Sequence, residues 1–196
     1  RVAGIARINN YICLMSRKYK MANPEGRYFV SFAVVYWLDI FVRELYMKIF
    51  TDSLNYCSME KGLELFGYCI MPSHIPLVFR DKNSNPSKLL KELKTHTSKT
   101  IRKAIEDNPT ESRKEWLLWM MQRAAEKKSN VSQYQFWQHH NKPIELWTNA
   151  VIDQKMDYVH NNPVVSGFVT KPEDWKYSSA GDYAGIKGQV ALCTLY

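Results

Sequence analysis

Tyr158 and Asn162 are four residues apart in the run Lys155-Met-Asp-Tyr-Val-His-Asn-Asn-Pro-Val164. On a helix they share a face, one turn apart. A phenol can attack phosphorus, and a carboxamide oxygen can help hold a cation beside it. The phenol is a weak nucleophile at neutral pH, with a pKa near 10, so a nearby positive charge is needed to activate it. A divalent metal would also polarise the scissile phosphate. The bland alternative is a half-buried tyrosine packed on a sheet, with Asn162 capping the helix.

A second run is Met71-Pro72-Ser73-His74-Ile75-Pro76-Leu77-Val78. In a strand, positions i and i+2 point to one face. Two histidines so spaced would offer two imidazoles to one metal ion, but here only His74 is a ligand type. Pro76 has neither a donor atom on its side chain nor a backbone N–H. A lone strand histidine is more often a hydrogen-bonded core or surface residue than a ligand.

Two further stretches carry the marks of a nucleic-acid contact. The segment Gln135-Phe-Trp-Gln-His-His-Asn-Lys-Pro143 interleaves aromatic, imidazole and basic side chains. In it Trp137, His139, His140 and Lys142 are candidates to meet unpaired bases and phosphates. The segment 87–107 is basic along its length, with Lys88, Lys91, Lys94, Lys99 and Arg102 as candidate phosphate contacts. Against these stand a core strand with surface histidines and an ordinary solvated helix face.

Which elements must position these groups can be read from periodicity. Aromatic and β-branched residues at 28–37 predict a buried strand. Apolar residues at helical spacing predict a helix over 43–61, ended by Gly62. Segments 63–71 and 74–80 read as a hairpin turning at Pro72-Ser73. Pro86 opens a basic helix over 87–107. Residues 108–132 read as an insertion holding a short apolar helix and a Lys-rich loop. A fourth strand is expected over 134–144 and a helix over 150–161, stopped by Asn162-Pro163. The order β-α-β-β-α-β-α predicts an α+β fold: a split β-α-β, ferredoxin- or RRM-like, with an antiparallel sheet and helices packed on one face.

Bulk composition narrows the partners. The net charge is +8 over 196 residues, a balance that favours a polyanion. No run of eighteen apolar residues exists, so no membrane span is expected. Four cysteines, at 13, 57, 69 and 193, show no C-x-x-C pair. They read as free thiols of a cytosolic protein, with Cys57 and Cys69 in the core. Residues 1–14 are expected to be an extra segment outside the fold, 15–165 the catalytic domain, and 166–196 a C-terminal tail. RNA-recognition modules share this element order, but no strand carries their aromatic Gly-Phe signature.

Taken together, the chain resembles the REP-associated tyrosine transposases, a branch of the HUH single-tyrosine transposases. The carriers are Cys69-Ile-Met-Pro-Ser-His-Ile-Pro-Leu-Val78, Phe136-Trp137-Gln138, Asp157-Tyr-Val-His-Asn-Asn-Pro-Val164 and Trp175-Lys-Tyr-Ser-Ser-Ala180. The match in order and spacing runs along roughly residues 15–185. The resemblance implies a bacterial, cytoplasmic enzyme that cuts and rejoins single-stranded, hairpin-forming DNA through a 5′-phosphotyrosine. It implies a bound Mg or Mn divalent cation and either a monomer or a homodimer. Tyr158 takes the place of the nucleophile, His74 that of the first metal histidine and Asn162 that of the helix-borne amide. The second metal histidine of the family falls on Pro76, which implies a weakened metal site and reduced cleavage. The other reading this leaves open is a protein of the same fold that binds DNA without cutting it.

Overall fold

The computed structural model describes residues 21–126, 133–139 and 141–195. Strand β1 (Tyr28–Ala33) lies between β3 (His74–Asp81) and the two-residue β4 (Ile144–Glu145), with β2 (Leu63–Tyr68) outside β3. All three pairings are antiparallel, giving the order β2-β3-β1-β4. The helices are α1 (Glu44–Glu60), α2 (Pro86–Asp107), α3 (Lys114–Glu126), α4 (Asn149–Val165) and the short α5 (Ala180–Tyr183).

Strand alternation sorts the core into two layers. Tyr28, Val30 and Phe32 of β1, with Ile75, Leu77 and Phe79 of β3, join Phe50 and Leu54 of α1 and Leu89, Leu93 and Ile101 of α2. The intervening residues, Phe29 and Val78, join Ile152, Met156 and Val159 of α4 in the second layer. The expected α+β antiparallel sheet is present, with one correction of detail. Helices α1 and α2 cover one face, whereas α4 covers the other, because odd and even strand positions are both apolar.

Local chemistry explains the element ends. Asn85 caps α2 by accepting from the Lys88 N–H, with Pro86 in the first turn where its missing N–H is not needed. Thr148 caps α4 by accepting from the Val151 N–H. The expected stop at Asn162-Pro163 is overturned. Helix α4 continues to Val165, since a proline this close to the end removes one bond from the last turns only. Asn162 is therefore inside the helix and its side chain is free for the sheet.

The expected strand over 134–144 is mostly irregular. Its ladder is limited to Ile144–Glu145 and an isolated bridge between Trp137 and Val34. The insertion 108–132 carries a longer helix than its apolar island indicated, Lys114–Glu126. Cys57 and Cys69 are buried, and Cys193 is exposed. Cys13, His140, residues 1–14 and most of the Lys-rich loop lie outside the described residues. Among those described, no helix is long and apolar enough to cross a membrane.

Beyond α4 the chain turns back along the free edge of β2. The Ile70 N–H donates to the Tyr177 carbonyl and the Ser179 N–H to the Tyr68 carbonyl, 2.8 and 2.9 Å. Cys193 N donates to the Leu65 carbonyl further along the same strand. The segment after Pro172 is thus built into the sheet edge.

Candidate active site

Helix α4 buries the stripe Ile152, Met156, Val159 and Pro163 on the sheet. Gly67 of β2 makes room for it, since a Cβ there would meet the end of Met156 at 2.7 Å. The neighbouring stripe, Lys155, Tyr158 and Asn162, follows at helical spacing and borders the same sheet face. The Asn162 amide nitrogen lies 3.2 Å from His74 Nε2 at the first residue of β3. One turn earlier the Tyr158 ring meets the Phe29 ring edge-on, with centroids 5.7 Å apart. Phe29, Ser31 and Ala33 of β1 sit opposite Val78, Pro76 and His74 of β3. Tyr158 and His74 therefore belong to one face of the molecule, with the Ser31–Pro76 pair between their strand neighbours. Tyr158 is 48% exposed.

His74 is held from two sides. Its ring packs against Trp37, with centroids 5.7 Å apart, and burial pushes its pKa below the usual value. The neutral imidazole that results keeps a lone pair for a cation or a hydrogen bond. Its Nδ1 is buried with no hydrogen-bond partner.

The Asn162 amide and the His74 imidazole supply two donor groups for a divalent cation. Pro76, buried on the same face, supplies none. Among the described residues no group of three or more His, Cys, Asp or Glu comes together. The residues present therefore do not fit a firmly held Mg or Mn ion. Pro76 cannot donate to the ladder, but its carbonyl still accepts from the Cys69 N–H, while the Ser31 N–H opposite it turns away from β3 to the Asn141 carbonyl.

Sequence reasoning missed three contributors. Lys155 holds its ammonium 5.2 Å from the centre of the same Phe29 ring that Tyr158 touches. The motif Trp175–Ala180 anchors α4: Ser179 Oγ accepts from the Tyr68 N–H at 2.9 Å and lies 2.9 Å from His160 Nε2. In the same segment the Trp175 indole donates to the Ile70 carbonyl, and the Tyr177 hydroxyl to Glu44. Trp37 is the third. The spacing Lys155-x-x-Tyr158 could have shown the first; the others needed the tertiary fold.

The candidate DNA contacts separate. Lys91, Lys99, His139 and Lys142 line an open groove of about 740 Å³ between α2 and residues 134–143. It meets the outer edge of β1, where Asn141 bonds to Ser31. Lys88 is exposed and near Glu92, 3.9 Å. Arg102 pairs with Glu106 and lies over the Tyr134 ring. Lys94 is pinned: its ammonium donates to the Gln138 carbonyl and Asn141 Oδ1, both at 2.7 Å, and burial pushes its pKa down to about 8. Trp137 is a correction. It is 5% exposed, stacks on Phe41 and donates to Thr97 Oγ1, so no face is left for a base. Its inward turn follows from the bridge to Val34 at the end of β1.

Comparison with known proteins agrees with this layout. Residues 27–134 match the family model described as "Transposase IS200 like". A Haemophilus influenzae protein named as a candidate REP-associated tyrosine transposase is 26% identical over 136 residues, 68% of each chain. Among solved structures, a REP-associated tyrosine transposase bound to a REP hairpin superposes with a TM-score of 0.59 at 14% identity, over 91% of this chain and 92% of that one. The last likeness is one of fold.

Proposed function

This chain belongs to the IS200-like transposase family, and from that premise we propose that it binds hairpin-forming single-stranded DNA and cleaves it with Tyr158. In the proposed step the Tyr158 oxygen attacks phosphorus, the bond from phosphorus to the 3′ oxygen breaks, the phenol proton leaves to solvent and the departing 3′ oxygen takes one up from solvent. A 5′-phosphotyrosine and a free 3′-hydroxyl result. Attack by a 3′-hydroxyl on the phosphotyrosine then rejoins strands, with the bond energy retained throughout. The observation that carries the reading is the pairing of one helix stripe with one strand end: Tyr158 and Asn162 a turn apart, with Asn162 on His74.

Lys155 holds its ammonium over Phe29, the phenol's ring partner, and its role in the proposal is to attract the scissile phosphate. Lys91, Lys99, His139 and Lys142 are proposed to hold the DNA backbone, by analogy with the hairpin-bound relative. His140 is proposed to join these contacts. The proposal includes weak catalysis. Pro76 leaves the divalent cation of the family two donor groups, so cleavage is reduced rather than supported at full rate. The test is strand cleavage of a hairpin oligonucleotide with Mn present, comparing the natural chain with Pro76→His. A large gain in the variant is expected, and equal, robust cleavage by both would overturn the impairment.

The incomplete donor set also favours a second reading, in which the protein keeps hairpin binding and has lost the chemistry. A covalent protein–DNA adduct that vanishes in Tyr158→Phe separates the two.

A further inference from the structure

Between β1 and α1 the chain makes a tight loop whose ends are fixed in the core. Val34, Val35, Leu38, Ile40 and Phe41 are all buried. Its backbone is tied down at several points: Val34 N–H to the Ser73 carbonyl, Val35 N–H to Phe136, Trp37 N–H to Val34 and Phe41 N–H to Pro72. Two residues are lifted out of this frame, Tyr36 and Trp37, at φ of 53° and 56°. Both are in the left-handed region, where a Cβ is costly and where turns normally place glycine or asparagine. Two bulky aromatic residues are held there in succession. Such strain persists only where the surroundings impose it, and it gathers at working sites.

The strain presents the Trp37 indole, 58% exposed, at the rim of the candidate active site. Its edge contact with the His74 ring fixes its position relative to Asn162 and α4. A large apolar surface in water beside a phosphodiester-cleaving site, in a chain of net charge +8, matches an unpaired nucleobase. The base face covers the indole, and its phosphates meet the basic surroundings. We propose that Trp37 is a stacking platform for one unpaired base next to the scissile phosphate. This role rests on the transposase reading above and adds to it a specific group that selects single-stranded over paired DNA.

The test compares binding of two probes, a DNA hairpin with blunt ends and the same hairpin with single-stranded oligothymidine tails. Proteins are the natural chain, Trp37→Ala, Trp37→Phe and Trp37→Asn. The tails should tighten binding by the natural chain and by Trp37→Phe. That gain should shrink about tenfold in Trp37→Ala and Trp37→Asn, as for one base lost from one ring. Blunt-hairpin affinity should be equal in all four. Asparagine tolerates the left-handed backbone, so Trp37→Asn should melt no lower than the natural chain. An equal tail effect in all four proteins would overturn the proposal, as would equal weakening on both probes or a large fall in melting temperature of Trp37→Asn. If the natural chain bound neither probe, the transposase reading itself would fail, and this inference with it.

Discussion

His74 Nε2 and the Asn162 amide, 3.2 Å apart across the gap from β3 to α4, tie the strand end to the helix that carries Tyr158. The contact joins residues 88 apart in sequence. It helps set the rotation of α4 about its axis and so the direction in which the face bearing Tyr158 points.

Removing that tie should be costly. In Asn162→Ala the imidazole loses the hydrogen bond at Nε2, and among the described residues Nδ1 is already buried without a partner. A loss of about 1–3 kcal/mol of stability is expected, the price of an unsatisfied buried polar group. Urea denaturation of the variant and the natural chain measures it. An unchanged midpoint would mean that the contact does not hold the helix.

Acidification should destabilise the fold through two histidines. Burial pushes the pKa of both His74 and His160 below their usual 6.5. A depressed imidazole means that, below 6.5, the unfolded chain binds protons that the folded chain refuses. Stability contributed by the neutral rings is therefore complete above about pH 6.5 and falls as the pH drops below it. The slope of denaturation midpoint against pH should flatten in His74→Gln and again in the double variant with His160→Gln. A slope unaffected by either change would refute the assignment.

Ser179→Ala addresses the second anchor. The hydroxyl is fully buried and serves Tyr68 and His160 at once. Its loss leaves the Tyr68 N–H and the imidazole without their partner, so about 1–3 kcal/mol should be lost. Amide hydrogen exchange should show the loss concentrated in α4 and the edge of β2, and uniform exchange would argue against this localisation.

Lys155→Met keeps the aliphatic stem on Phe29 and deletes the charge. Stability should change by no more than about 1 kcal/mol, the worth of a partly exposed cation–π contact. Adduct formation should slow at least tenfold, on the order expected when a positive group is removed from developing charge. A cleavage rate equal to that of the natural chain would remove Lys155 from the mechanism.

Much of this was legible in the residues alone. Helices 44–60 and 86–107 and the hairpin 63–81 follow from apolar spacing and from the turn and cap residues at their ends. Tyr158, His74 and Asn162 were legible only because their motifs occur in a fixed order, since each alone has an ordinary structural explanation. The irregular path of 134–143 was not legible. Its alternating aromatics look like a strand, yet Trp137 is buried by contacts with Phe41 and Thr97, which lie far off in sequence. Nor could local pattern reveal Trp37. The strand-like run 28–37 ends as a strand at Ala33 and hides a tight turn at Tyr36, next to backbone bonds to Ser73 and Phe136.

The most direct measurement is to map a covalent DNA adduct by mass spectrometry, after incubating Pro76→His with a hairpin oligonucleotide and Mn. The expected result is one nucleotide-bearing peptide, containing Tyr158, at least about tenfold more abundant than in the natural chain and absent from Pro76→His combined with Tyr158→Phe. An adduct on another residue, or none in either protein while both bind the hairpin, would contradict Tyr158 as the nucleophile.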